Sequence, residues 1–354
     1  MEQQHDTQWI LDQFLTPAFS VKDGKIHRVN YDAQRRDLTP GIPVSSLLGE
    51  NAQAYDDFTG GCLYLTLNIG GQNFGAAVTQ QDGFDLFVMD HEVEQQQLRA
   101  LALASRELRG PLADIMSAAD RLLAQLDPED QSDDAAGINR SIHQLHRLVC
   151  NMSDAARYEC ETAAPQSLRD MAAIFDEVFE KAAVLAQQAG VTLRYTTVNT
   201  AVYSLTDEEK LERAVYNLIS NSLKFTPKGG VIEAKLTLRG PRLYLTVQDS
   251  GSGIPAQLRG SVFTRYQRGS CIEDGRYGIG LGMVIVRAAA AAHGGTVLLE
   301  QPEGQGPRFT VTFAVRQSSM PPLHSSLPTI DYAGGRDHGL LELSDVLPPS
   351  AYEV

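Results

Sequence analysis

The stretch DEEKLERAVYNLISNSLKFTPKGG, residues 207–230, carries two amides and an ammonium at chemically useful spacing. Asn217, Asn221 and Lys224 sit at i, i+4 and i+7, so a helix places them on one stripe. Leu211, Val215, Leu218, Ile219 and Leu223 mark a separate apolar face. Such a stripe suits a phosphate chain with its Mg²⁺. An amide oxygen is a hard ligand of the kind Mg²⁺ prefers, and the ammonium neutralises phosphate. Taken alone, the stripe also fits an ordinary solvated helix face.

The next stretch, RLYLTVQDSGSGIP at 242–255, narrows the choice. Leu243, Leu245 and Val247 alternate with polar residues as a strand does, and Asp249 falls on their apolar side. A carboxylate aimed into a core needs a partner. An adenine amino group is a good one, because it donates to the carboxylate while its ring fills apolar space. Gly251, Gly253 and Ile254 follow; the two glycines permit close approach of the backbone to a ligand. Further on, GRYGIGLGMVIVRAAAAAHGG at 275–295 places Gly278, Gly280, Leu281 and Gly282 before or at the start of a helix. Helix N-terminal amides with glycine freedom can take the outer phosphates. The run follows a loop and lacks a βαβ context, so it is not the dinucleotide fingerprint. His293, at the end of that helix, reads as a cap. Between these stretches lies SVFTRYQRGS at 261–270. There Phe263 and Tyr266 can pack under a lid, GSCIEDGRYG, while Arg265 or Arg268 reaches phosphate.

The elements that must position these residues are legible by period. Helical patterns at 168–189, 207–225 and 281–293 alternate with strands at 191–198, 231–238, 242–249, 296–301 and 308–315, which makes an α/β domain over 163–316. Before it, residues 91–162 form two seamed helices. Leu98, Leu101, Ser105, Leu108, Leu112, Ile115, Ala119, Leu122 and Leu126 alternate by three and four; Ile138, Ile142, Leu145, Val149, Met152 and Ala156 repeat the pattern after a polar break. One hairpin buries one stripe, so two copies closing a four-helix bundle, a homodimer through 91–162, is the expectation. Residues 1–90 read as a short helix near Trp9–Phe14, a hairpin around Asp23-Gly24, and three strands turning at Gly70-Gly71 and Asp82-Gly83. This pattern of strands resembles a PAS sensor domain, without a chemical signature for a ligand; His5 and His27 read as exposed. Residues 317–354 read as linker and tail, with one apolar island, LLELSDVL, at 340–347.

Composition sets the bounds. The 354 residues are 43% hydrophobic and suffice for two or three packed domains. The formal charge of −14 argues against nucleic acid as a partner. There is no apolar run long enough for a membrane span and no basic-then-apolar leader, so a soluble cytoplasmic protein is expected. The four cysteines form no ligand or disulfide spacing.

Four motifs in this order resemble the ATP-binding domain of sensor histidine kinases, within the Bergerat-fold ATPases. NLISNSLKFTP resembles the N box, DSGSGIP the G1 box, VFTRYQRG the F box and GIGLGMVIVRAAAAAHGG the G2 box. The resemblance implies an α+β multidomain protein: a PAS-like sensor, a helical hairpin and a Bergerat-fold α/β sandwich. It implies ATP and Mg²⁺ as cofactors, Asn221 as the Mg²⁺ ligand, and Asn217 and Lys224 near the phosphates. Asp249 would hold adenine, Gly251 and Gly253 would line its pocket, and Gly278, Gly280 and Gly282 would shape the lid. A response regulator or a partner histidine kinase would be the protein partner.

One motif departs from the family. Its phosphoacceptor sequence reads roughly His-Glu-Leu-Arg-Thr-Pro-Leu, whereas residues 106–112 are Arg-Glu-Leu-Arg-Gly-Pro-Leu. Glu107, which in the family helps polarise the histidine, is present, as is Pro111. The acceptor is Arg106, and a guanidinium has no lone pair to attack phosphorus. Gly110 replaces the family's water-positioning Thr or Asn. Ser105 faces the seam. His143 and His146 fall off it and are expected at the surface, His143 the more outward. Two readings stay open: a kinase that transfers phosphate by another route, and an ATP-binding pseudokinase acting on a partner by shape change.

Overall fold

The computed structural model describes residues 7–81, 83–90, 92–125, 133–160, 167–255, 259, 262–263, 281–316 and 331–353. Among them, no helix is long and apolar enough to cross a membrane.

The chain opens with helix α1 (Thr7–Asp12) and the hairpin β1 (Ala18–Lys22) and β2 (Lys25–Val29). Three short helices follow, α2 (Tyr31–Gln34), α3 (Ser45–Leu48) and α4 (Ala52–Asp56). Then come β3 (Cys62–Ile69), β4 (Gln72–Gln81) and β5 (Phe84–Met89). These strands pair antiparallel in the order β2-β1-β5-β4-β3. Phe19, Leu38, Leu47, Leu65, Val78 and Phe87 form their core against the short helices.

Two long helices, α5 (Glu92–Leu123) and α6 (Asp133–Cys160), form the hairpin. Helix α5 runs through Pro111 without ending. The seam splits. Ser105, Leu112, Ile142 and Val149 are buried, whereas Leu108, Ile115 and Leu122 are 48%, 53% and 67% exposed, as are Ile138 and Leu145 by about half. The exposed trio on α5 recurs every seven residues and forms one outward stripe. Leu126 lies outside the described residues, as do the side chains of Leu98 and Ala156.

The α/β part contains α7 (Met171–Gln188), α8 (Glu208–Phe225) and α9 (Gly282–Ala292) on strands β7 (Thr192–Thr196), β9 (Val231–Arg239), β10 (Arg242–Asp249), β11 (Val297–Glu300) and β12 (Arg308–Ala314). Their order is β11-β12-β10-β9-β7, antiparallel except for β7 beside β9. Asp170 caps α7 and Asp207 caps α8, each accepting a hydrogen bond from a first-turn amide. Two four-residue strands, β6 (Ser167–Asp170) and β8 (Tyr203–Thr206), pair separately. Residues 168–170, expected in the helix, are strand, and YSLT went unread; both strands are too short to display a period.

The two sheets are one. Edge strand β3 pairs antiparallel with edge strand β11, matching Tyr64 with Val297 and Cys62 with Leu299, to give ten strands. The join is reinforced by Arg287 of α9, which is buried. Its Nη1 donates to Asp90 Oδ1 at 3.0 Å and to the Phe263 carbonyl at 2.7 Å. Its guanidinium lies 4.9 Å over the Tyr64 ring, whose hydroxyl donates to Asp90.

The tail is docked. Helix α10 (His338–Glu342) and a 3₁₀ turn at Pro349–Tyr352 pack on α6, α7 and α8. Leu341, Leu343, Leu347 and Tyr352 are all buried there.

Candidate functional site

Strand β10 alternates as the sequence requires, with Leu243, Leu245, Val247 and Asp249 all buried. Its last residue therefore delivers a carboxylate to the inner face, where, among the described residues, Gly251 N–H, at 2.8 Å, and the Ser222 side chain bond to it. Burial pushes the Asp249 carboxyl up to about 6, and those two hydrogen bonds hold it from rising further. The carboxylate is thus poised to accept a hydrogen bond from a ligand. Gly253 turns the chain with a φ of 83°, a left-handed conformation that a side chain would strain. It sets Ile254, half-buried against the core, with its N–H donating to Gln301 Oε1 at 2.9 Å.

Helix α8 supplies the second wall. Asn217 is buried: its Nδ2 donates to the Arg213 carbonyl at 2.8 Å, and its Oδ1 accepts from Arg147 Nη2 at 3.4 Å. One turn on, Asn221 Nδ2 donates to Met283 Sδ at 3.3 Å. Its amide oxygen is a hard donor suited to Mg²⁺. Among the described residues, no cluster of three or more His, Cys, Asp or Glu could hold a metal. Lys224 Nζ pairs with Asp345 of the tail at 3.0 Å. Burial lowers the Lys224 ammonium, and Asp345 opposes that shift.

Helix α9 closes the third side. A Cβ at Gly282 would stand 2.8 Å from Asn217 Oδ1, so only glycine lets α9 start against α8. Leu281 packs with Met152 and Ala155 of α6 and with Leu101 and Ala102 of α5. The start of α9 therefore rests on the hairpin, one helical turn before Arg106. Phe263 is buried at the join, its ring 5.9 Å from that of Tyr64. Arg268, Gly278 and Gly280 lie outside the described residues, as do Arg265 and Tyr266.

Arg106 and Glu107 are exposed on α5. Ser105 is buried, its hydroxyl donating to the Ala102 carbonyl. His143 corrects the expectation of an outward surface residue. It is 4% exposed, its Nδ1–H donates to the Asn139 carbonyl at 2.8 Å, and the Tyr352 ring lies 5.0 Å away. His146 is half-buried rather than exposed. Burial lowers both imidazoles. The expectation failed because the tail that covers His143 was not placed by its sequence. His293 does end α9, through a neutral ring: Nδ1–H donates to the Ala289 carbonyl and Nε2 accepts from the Asp207 amide.

Sequence reasoning missed the cations beside the stripe. Arg213 stands four residues before Asn217, so the helical spacing could have found it. Arg147 comes from α6, and nothing local marks it.

The comparisons agree with this geometry. Residues 206–317 match the family of histidine kinase-, DNA gyrase B- and HSP90-like ATPases. Sensor histidine kinase RppB of Synechocystis sp. is 30% identical over 243 residues, which is 65% of this chain and 51% of RppB. The sensor-like histidine kinase R01002 of Rhizobium meliloti is 31% identical over 270 residues, 70% of this chain and 50% of its own. Among solved structures, full-length ShkA in complex with AMPPNP superposes with a TM-score of 0.50 at 27% identity, covering 62% of this chain and 47% of ShkA. The chain spans about half the length of these relatives. The kinase alignments are longer than the ATPase segment alone can supply, so they run beyond it into the rest of the chain; this protein belongs to the sensor histidine kinase family.

Proposed function

We propose that this chain is a two-component signalling protein that binds Mg-ATP between α8, α9 and the end of β10, and does not accept phosphate on its own hairpin. Asp249 accepts a hydrogen bond from the adenine amino group, Asn221 ligates Mg²⁺, and Lys224 with Asn217 faces the phosphates. Gly251, Gly253 and Ile254 line the base pocket. The observation that carries the reading is the contrast between this convergent site and the acceptor helix. Position 106 offers a guanidinium, His143 is sealed under Tyr352, and His146 is half-buried on the same helix. A group that the γ-phosphate cannot reach cannot attack it. The protein then acts as an ATP-gated pseudokinase whose shape a partner reads, either a response regulator or a histidine kinase.

The exposed Leu108, Ile115 and Leu122 stripe supports a dimeric four-helix bundle. The same stripe supports a second reading, in which this ATP domain phosphorylates a histidine on a partner's hairpin. The five-stranded N-terminal sheet, with its helices between the second and third strands, supports a PAS-like sensor.

The test is label transfer from γ-labelled ATP, with Asn221→Ala as control. The wild type is expected to stay unlabelled while binding Mg-ATP saturably. Arg106→His is expected to gain acid-labile, alkali-stable label. Label of that kind on the wild type would mean that another histidine accepts phosphate, and would sink the pseudokinase reading.

A further inference from the structure

The docked tail brings two carboxylates into the candidate nucleotide site. Glu342, fully buried, accepts from Arg213 Nε at 3.0 Å and from Arg147 Nε at 3.2 Å. Asp345 accepts from Arg147 Nη1 at 2.7 Å and from Lys224 Nζ at 3.0 Å. Arg213 also pairs with Asp154 of α6. Among the described residues, Arg147, Arg213 and Lys224 thus face Glu342, Asp345 and Asp154.

The groove recognises this segment in detail. Arg140 Nε and Gln144 Nε2 of α6 each donate to the Ser344 carbonyl at 3.1 Å, and Asn139 Nδ2 donates to the Tyr352 carbonyl at 3.0 Å. The segment is folded on itself: Asp337 caps α10, and the Tyr352 hydroxyl donates to the Leu340 carbonyl at 2.6 Å. Its leucines already supply an apolar anchor. Burying Arg147, Asp154, Arg213 and Glu342 in addition carries a desolvation cost that packing alone would avoid. The charges are therefore better explained as something the site can exchange.

We propose that residues 331–352 are an intramolecular ligand of the nucleotide site, with Asp345 holding Lys224 where a nucleotide phosphate would, so that tail docking and Mg-ATP binding exclude one another. This rests on the reading of Asn217, Asn221 and Lys224 as the phosphate end of the pocket. A triphosphate brings more negative charge to Lys224, which Asp345 already pairs. It can take Lys224 only if the Asp345 carboxylate leaves, because like charges at contact distance repel strongly in a partly buried site. The hairpin feels the exchange directly, since Arg147 of α6 joins Asn217, Glu342 and Asp345. ATP would thereby loosen the tail from α6.

The experiment is Mg-ATP titration of the full chain by calorimetry, alongside Asp345→Ala and Tyr352→Ala. The Tyr352 ring packs against His143 of α6 and its hydroxyl bonds the Leu340 carbonyl, both outside the pocket residues, so its variant reports on tail docking alone. Both variants are expected to tighten Mg-ATP by about tenfold, the factor by which a tail docked about nine-tenths of the time weakens apparent affinity. In the wild type, amide exchange over 338–352 is expected to rise on adding Mg-ATP. Equal affinities in all three proteins, or unchanged exchange in the wild type, overturn the competition and leave the ATP reading standing. Absence of binding in all three overturns the ATP reading and the competition with it. Should a variant fail to fold, the exchange measurement on the wild type still decides.

Discussion

Asp249 is an ionisable group in a place that disfavours its charge, and the consequences run in opposite directions for folding and for binding. Its carboxyl titrates at about 6 in the fold, against 3.8 unperturbed. A raised native value means that the term favours the fold fully below the unfolded pKa and is lost as pH rises through 6. Asp249→Asn keeps an oxygen for Gly251 N–H and removes the charge. At pH 7.5 it is expected to stabilise the unliganded protein by about 1–3 kcal/mol, an advantage that shrinks as pH falls from 6 toward 4. Thermal unfolding at both ends of that range checks it. The same substitution is expected to abolish saturable Mg-ATP binding, since an adenine amino group needs the carboxylate as acceptor. Wild-type affinity is expected to weaken as pH falls through 6. A variant that gains stability and keeps its affinity would remove Asp249 from the adenine site.

At the scale of elements, the hairpin leaves an apolar stripe outside. Helices α5 and α6 bury Ser105, Leu112, Ile142 and Val149 between them or against the ATPase domain, yet leave Leu108, Ile115 and Leu122 facing out. In the proposed dimer, this seven-residue apolar repeat is the seam. Leu108→Glu with Ile115→Glu is expected to convert a dimer to a monomer in light scattering, at little cost to the monomer's melting temperature because both residues are already half-exposed. A dimer that persists at micromolar concentration would move the interface elsewhere. The seam was legible because period alone locates it, and the helices and five strands of the ATPase domain were legible for the same reason. The stripe of Asn217, Asn221 and Lys224 and the inward Asp249 followed from helical and strand geometry. What covers them did not. The tail contributes a five-residue helix, too short to show a face, and its partners Arg147 and Arg213 sit on helix faces that read as solvated. The pairing of β3 with β11 joins edges more than two hundred residues apart, and no local pattern encodes that.

In the whole molecule, three units meet around α9 and α8. The N-terminal sheet enters through β3 and Asp90, which holds Arg287 of α9. The hairpin enters through Leu101, Ala102 and Met152 beneath Leu281. The tail enters through Glu342 and Asp345, and it has a titratable latch. His338 Nδ1 lies 2.9 Å from the Glu212 carboxylate on α8, and Nε2 lies 2.9 Å from Asp331. Two carboxylates, one on each ring nitrogen, require both nitrogens to donate, so the ring is an imidazolium. The hydrogen bond to Glu212 comes first among the causes that raise it to about 9, against the opposing effect of burial. The Tyr332 ring lies tilted against it with centroids 4.6 Å apart, and Asp337 precedes it as the cap of α10. Because the native value exceeds the unfolded 6.5, the latch contributes fully below about 6.5 and is lost as pH rises through 9. His338→Gln is therefore expected to melt below the wild type at pH 6.5, with the gap closing by pH 9.5. If docking of the tail opposes nucleotide, the same titration moves affinity: wild-type Mg-ATP binding tightens between pH 7 and 9.5, while His338→Gln, already unlatched, changes little. Calorimetry on the two proteins across that range separates the cases. A melting gap without an affinity change would make His338 a structural clasp, with no part in setting access to the nucleotide site.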